Sequence, residues 1–226
     1  MARRLKSDQV LFLAALLLVA ASVVMVYSAS AVLALQRFNQ PYLFLTKQAM
    51  WAVLGIAMLG VVMRIDYRHY RQSAVMWTIV GIAVVGLIAV FFSPRVNGSH
   101  RWLGLGFLGV QPSEFAKLAA ILFTAAVLER RMHRIDEPYY ALAPIGALAV
   151  VFMALIYLEP DLGTAIALLL ILAAMIFTAG LGWRYLLGLA LCAIPVALSL
   201  AMGAAYRRGR LLAFLYPQED PQGTGY

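Results

Sequence analysis

Four charged residues lie where the surrounding sequence is almost wholly apolar. Glu114 and Lys117 belong to Gln111-Pro-Ser-Glu-Phe-Ala-Lys117, and Glu159 and Asp161 flank Pro160 in Leu158-Glu-Pro-Asp-Leu-Gly-Thr164. Pro112 suits the first turn of a helix, where its missing N–H costs nothing. Glu114 and Lys117 then stand at i and i+3, on one helix face and within reach of each other. An ionisable residue inside a membrane span costs about 2.5–3.5 kcal/mol on insertion scales, so it should face protein or a wet cavity. The pair reads as part of a charged cavity open to the outer face; the plainer alternative is an ion pair that staples helices. In the second motif Pro160 disfavours helix at Glu159, and Gly163 permits a tight turn into the next helix. The two carboxylates have few local counter-charges. They could bind a divalent cation or orient a sugar hydroxyl, whereas the plain reading is a solvated turn. Two carboxylates alone are too few for a metal site.

The elements that must position these residues are membrane spans. Of 226 residues, 64% are hydrophobic and 12% charged, far from the half-apolar, quarter-charged composition of soluble domains. A water-soluble single domain is excluded, and so is disorder. Seven apolar stretches are predicted to span: Val10–Leu35, Leu43–Met63, Ala74–Phe92, Pro112–Leu128, Ala143–Leu158, Thr164–Leu181 and Tyr185–Ala204. In lipid each backbone polar group must bond internally, so the spans should be helices. Barrel strands would alternate polar and apolar residues, and these runs do not. No linker divides the chain, which reads as one all-α polytopic domain. The first span is too long for a cleaved signal peptide.

Charge distribution gives an orientation. Ten basic residues (Arg3, Arg4, Lys6, Arg64, Arg68, Arg71, Arg130, Arg131, Arg134 and Arg184) fall on one side. Arg37, Lys47, Arg95 and Arg101 fall on the other, joined by Arg207, Arg208 and Arg210 of the tail. The positive-inside rule puts the N-terminus in the cytoplasm and residues 206–226 outside. It also accounts for the net charge of +8 without nucleic-acid binding.

Other features carry less. His69, His100 and His133 lack ligand spacing. Gly104, Gly106 and Gly109 lack the strand–turn–helix context of a nucleotide loop, and no Walker A motif is present. Cys192 is the one cysteine, which excludes an internal disulfide. Trp51, Trp77, Trp102 and Trp183 read as interfacial anchors. Asp66, Asp136 and Glu137 read as solvated loop residues. Pro195 is expected to kink the last span.

Trp102-Leu-Gly-Leu-Gly, Gln111-Pro-Ser-Glu-Phe-Ala-Lys117 and Glu159-Pro-Asp-Leu-Gly-Thr164, in that order along the chain, resemble the SEDS membrane proteins, which include FtsW, RodA and SpoVE. Val26-Tyr-Ser-Ala-Ser30 and Tyr206-Arg-Arg-Gly-Arg-Leu-Leu-Ala-Phe-Leu215, running on to Tyr226, look more like the FtsW branch. The resemblance implies a roughly ten-helix fold of which this chain holds about seven helices. It implies a large outer loop that begins at 206–226 and a later acidic residue beyond Tyr226, so that 1–226 would be an incomplete SEDS domain lacking its general base. It further implies a peptidoglycan glycosyltransferase that polymerises lipid II at the outer face of the bacterial cytoplasmic membrane in septal wall synthesis. The expected partners are a class B penicillin-binding protein transpeptidase and divisome proteins. Glu114, Lys117 and Asp161 match the family's functional positions. Arg101, Glu159 and Thr164 are the expected substrate contacts, and Asp161 is the candidate ligand for a divalent cation, Mg or Mn. The rival readings are a lipid II flippase, a non-catalytic scaffold that recruits a transpeptidase, and an elongation role like that of RodA.

Overall fold

The computed structural model describes residues 8–94, 100–105, 108–131, 137–180, 182–203 and 209. Expectations that rest on the N-terminal tail before Asp8, on Arg95, Asn97, Gly106, His133, Arg134 and Asp136, and on 206–226 except Gly209 lie outside the described residues. Seven α-helices are described: α1 (Gln9–Phe38), α2 (Leu43–Val62), α3 (Ser73–Ala89), α4 (Pro112–Arg131), α5 (Pro138–Leu158), α6 (Leu162–Thr178) and α7 (Trp183–Gly203). They occupy the seven predicted spans. Three stretches are long and apolar enough to cross a membrane by themselves, Gln9–Phe38, Leu43–Val62 and Ser73–Phe92, and two shorter apolar helices cover Leu142–Leu158 and Leu162–Thr178. α4 falls outside that set although it lies between spans: it carries Glu114, Lys117, Glu129, Arg130 and Arg131, which lower its hydropathy.

The chain divides into two compact units, Met1–Tyr67 and Arg68–Tyr226. In the first, α1 and α2 form a helical hairpin. Asp8 caps α1 by accepting hydrogen bonds from the N–H groups of Val10 and Leu11 at 2.9 and 3.1 Å, which satisfies donors the helix itself cannot. Asn39, in the left-handed region at φ 55°, ends it, a conformation asparagine tolerates better than most residues. Gln48 donates to the Ser22 hydroxyl at 3.3 Å, and the Tyr27 and Tyr42 rings stack 5.7 Å apart.

The second unit holds the core. α4 packs against α3, α5 and α6, and α6 also packs against α5 and α7. Leu87, Ala120, Phe123, Ile145, Phe152, Ile156 and Leu168 are buried there. Alanines at 116, 119, 120 and 126 line the buried face of α4, so neighbouring helices can approach it closely. Trp77 of α3, itself largely exposed, meets Phe123 of α4 edge-on at 5.6 Å. A Cβ placed on Gly86 would stand 3.3 Å from Pro112 Cβ, so α3 and the first turn of α4 touch at a position that suits glycine.

One end of this bundle is tied by arginines. Arg71 pairs with Glu129 at 3.1 Å, and Arg130 donates to the Ser73 hydroxyl at 3.2 Å and to the Arg71 carbonyl. Arg131 donates to the Tyr140 carbonyl, with its guanidinium 4.5 Å from the centre of that ring. Cations in the last turn of α4 also suit the negative end of the helix dipole. The opposite end carries a feature that the sequence reading did not foresee. Leu103–Leu105 and Leu108–Val110 form a two-stranded antiparallel hairpin, β1 and β2, with Gly104 opposite Gly109. The Trp102 ring lies over the second strand, 3.2 Å from where a Cβ on Gly109 would sit. The hairpin delivers the chain into Gln111 and the start of α4.

Candidate functional site

Charged and polar side chains gather at the hairpin end, on the turn between α5 and α6. α5 stops at Leu158, with Glu159 as its C-cap. The chain turns through Pro160, and Asp161 caps α6. Asp161 Oδ1 accepts from the Thr164 N–H at 3.2 Å, and Oδ2 accepts from the Thr164 hydroxyl at 2.9 Å. Oδ2 also accepts from Gln111 Nε2 at 3.1 Å. Gln111 donates in addition to the Ser113 hydroxyl at 3.0 Å, and Ser113 is fully buried in the first turn of α4. Gln111 therefore fastens the start of α4 to the start of α6.

Arg101 supplies the counter-charge that the local sequence lacks. Its Nε lies 4.0 Å from Asp161 Oδ2 and donates to the Glu159 carbonyl at 3.4 Å, while Nη2 donates to the Pro160 carbonyl. The guanidinium thus bridges the backbone of the turn and the carboxylate of Asp161. The turn is not solvated, contrary to its plain reading. Glu159 is 0% exposed and Asp161 7%. Among the described residues, neither carboxyl oxygen of Glu159 has a hydrogen-bond partner. Burial, followed by repulsion from Asp161, pushes the Glu159 carboxyl up to about 8, and Arg101 offsets this only in part. Gly163 lies inside α6, so the turn does not use its conformational freedom; the Asp161 cap begins the helix instead.

Glu114 and Lys117 pair as their spacing predicts, with Nζ 2.8 Å from Oε2. Glu114 is well exposed and Lys117 mostly covered, so the pair lies on a surface of α4. Among the described residues no hydrogen bond or ion pair joins it to the Asp161 group. The structure brings Arg101, Asp161 and Thr164 together and encloses Glu159 beneath them. It keeps Glu114 and Lys117 as a separate pair on the helix that Gln111 begins. Gln111 and Ser113 were not singled out as site residues in the sequence, although both sit inside the Gln-Pro-Ser-Glu motif. Their adjacency to Pro112 at a helix start was the available clue.

Next to Arg101 along the chain, a cavity of about 590 Å³ opens between the end of α3 and the hairpin. Its lining includes Ala89, Phe92, Pro94, Leu103 and Val110, so its wall is mainly apolar.

The donor set does not fit a divalent cation held by Asp161. Both of its oxygens already accept hydrogen bonds, and Arg101 occupies its charged side. Glu159 is enclosed, and no cluster of three or more His, Cys, Asp or Glu side chains converges among the described residues. Hard cations need several oxygen ligands.

The family model for the cell cycle proteins FtsW, RodA and SpoVE matches residues 8–226. The chain belongs to this family. Its membership, together with the apolar helices, makes it a membrane protein. It is 36% identical over 223 residues to the "Probable peptidoglycan glycosyltransferase FtsW" of Geobacter metallireducens, covering 97% of this chain and 59% of that protein. It is 33% identical over 227 residues to the stage V sporulation protein E of Bacillus subtilis, covering 99% of this chain and 62% of that protein. The chain thus spans about three fifths of the length of these curated relatives. Among solved structures it resembles a chain described under "Structural coordination of polymerization and crosslinking by a peptidoglycan synthase complex". The TM-score is 0.68 at 28% identity, with 93% of this chain and 61% of that chain covered. It also resembles the rod shape determining protein RodA of Thermus thermophilus, with a TM-score of 0.61 at 26% identity over 86% of this chain and 62% of that one. The seven helices fit part of that fold.

Proposed function

We propose that the protein is a peptidoglycan glycosyltransferase that polymerises lipid II into glycan strands at the outer face of the bacterial cytoplasmic membrane. The family membership and the names of its relatives support the reaction class. The observation that carries it within this chain is the Arg101–Asp161 pair at the turn between α5 and α6. Lipid II joins an isoprenoid tail to a disaccharide through a pyrophosphate. The apolar cavity at the end of α3 suits part of the tail, and the cations Arg101 and Lys117 suit the pyrophosphate. Pockets of this kind, mostly apolar with a few placed polar groups, are the usual form of ligand sites.

In the reaction a sugar 4-hydroxyl attacks the anomeric carbon of a second molecule. A C–O bond forms, the anomeric C–O bond to the pyrophosphate breaks, and the hydroxyl proton passes to a base. Negative charge grows on the departing pyrophosphate, and a fixed cation there stabilises the transition state. Lys117 and Arg101 take that role in this reading. Glu114 orients Lys117 through their 2.8 Å contact. Asp161 holds Arg101 at the turn while Thr164 and Gln111 hold Asp161. None of the three acidic residues Glu114, Glu159 and Asp161 is assigned as the base.

The FtsW relatives favour a role in cell division, and the resemblance to a chain of a synthase complex favours a transpeptidase partner of the class B penicillin-binding type. The distribution of Arg and Lys supports an N-terminus in the cytoplasm. The test is lipid II polymerisation by the full-length protein with its transpeptidase partner. Lys117→Ala and Asp161→Ala should each lower the rate at least about a hundredfold, a size seen when one charge-stabilising group is lost. Wild-type rates in both folded variants would sink the assignments. Headgroup translocation across liposomes without any polymer would favour transport instead.

A further inference from the structure

Among the described residues at this end, the Glu159 carboxyl is an ionisable group that the proposed reaction does not use. It is 0% exposed, and both of its oxygens lack hydrogen-bond partners among the described residues. Asp161, two residues away, accepts from Thr164, Gln111 and Thr164 again, and pairs with Arg101. One guanidinium therefore serves a turn with two carboxyls. Thr164 and Gln111 donate to the Asp161 carboxylate and Arg101 donates to the Glu159 and Pro160 carbonyls, and among the described residues no donor reaches the Glu159 carboxyl.

We propose that Glu159 is kept protonated in the working protein and acts as a positioning residue, its neutrality leaving Arg101 a single counter-charge and so able to receive an anionic group of the substrate. This rests on the reading of Arg101 as a contact for the substrate's pyrophosphate. Three physical terms point the same way. An enclosed carboxylate without donors loses its hydration and gains nothing in return. The end of α5, where Glu159 sits, is the negative end of a helix dipole. Asp161 adds a like charge. Arg101 opposes these effects only in part, and among the described residues the remaining charged groups nearby do not alter the balance. α3, α5 and α6 carry no Asp, Glu, Lys or Arg. α4 brings Glu114 and Lys117, which neutralise each other. Tyr157 precedes the turn on α5, and His100, next to Arg101, bonds the Ser93 carbonyl at 2.6 Å.

With Glu159 protonated, the Arg101–Asp161–Glu159 group is neutral. With Glu159 ionised it carries one net negative charge facing an anionic ligand. Binding should therefore weaken as the solution turns alkaline, and it should do so through Glu159.

Two measurements on the full-length protein test this. The first is infrared spectroscopy of wild type against Glu159→Gln at neutral pH. A carboxylic-acid C=O band present in wild type, shifted in deuterium oxide and missing from the variant, is expected. A carboxylate band alone would overturn the proposal. The second is lipid II affinity against pH. Wild-type binding should weaken roughly eightfold between about pH 7.5 and 9, following the loss of the protonated fraction. Glu159→Gln, an uncharged mimic of the acid, should rescue alkaline binding and flatten the profile. Equal weakening in both proteins would overturn the positioning role. Binding without polymer formation would instead count against the glycosyltransferase reading and leave this one standing.

Discussion

The buried Glu159 carboxyl makes folding stability depend on pH in a way that can be worked out beforehand. In the unfolded chain it titrates near its ordinary value of 4.5, and in the folded protein near 8. A folded-state value above the unfolded one means that the native state binds the proton more tightly. The stabilising contribution is therefore complete below about pH 4.5 and is lost as pH rises towards 8. At 1.36 kcal/mol per pH unit, the loss across that window is at most about 5 kcal/mol. Relaxation around the charged carboxylate will lower that ceiling. Glu159→Gln keeps the shape and the enclosed oxygen but has no proton to lose. Near pH 5 the two proteins should unfold at similar midpoints. Near pH 8.5 the variant should be the more stable, by about 2–5 kcal/mol. The assay is thermal or denaturant unfolding of both proteins in the same detergent across that range, compared as a difference so that titrations common to both cancel. Parallel curves from pH 5 to 8.5 would refute the reasoning, because they would mean that Glu159 is already ionised or is not enclosed.

Three other outcomes follow from packing. Thr124 is fully buried and its hydroxyl has no partner among the described residues, so Thr124→Val, of nearly the same shape, should raise stability by about 1 kcal/mol; a lower unfolding midpoint would count against it. Gly86→Val adds a branched side chain where even a Cβ would sit 3.3 Å from Pro112, and it should cost about 1–3 kcal/mol by prising α3 from the first turn of α4. The Arg71–Glu129 pair is about half exposed on both sides, so Glu129→Gln should change stability by less than about 1 kcal/mol, with the effect vanishing in high salt.

The helices were legible because their signal is local. A run of apolar residues long enough to span needs no partner to be recognised, and all seven appear where the runs lie. The start of α4 was legible for the same reason: Pro112 marks its first turn, and the i, i+3 spacing of Glu114 and Lys117 yields the 2.8 Å contact. The hairpin was not, because strands of three residues with glycine at the centre of each are too short to show a period and carry a single β-branched residue, Val110. Nor could the sequence say which cation answers Asp161. Arg101 lies sixty positions earlier in the chain, and only the packing of α4 against α5 and α6 brings them together. The enclosure of Glu159 was not legible for a related reason. The motif allowed a solvated turn as well as a site residue, and enclosure depends on neighbours that the motif does not contain.

The turn between α5 and α6 explains why these charges can be tolerated at all. A helix ends there and another begins, so carbonyls without partners at the end of α5 lie beside N–H groups without partners at the start of α6. The first set favours a cation and the second an anion. Arg101 donates to the carbonyls of Glu159 and Pro160, and Asp161 accepts from Thr164. Each charge therefore sits on the helix end that stabilises it, and the 4.0 Å pair between them adds to a placement already favourable. Glu159 is the exception that tests this logic. It is an acid at the cation-favouring end, without a donor, and the same electrostatics that hold Arg101 in place keep a proton on it. Arg101→Lys would preserve the charge but lose the planar fork that reaches two carbonyls and a carboxylate together, so a lysine there should fail to restore whatever Arg101 does.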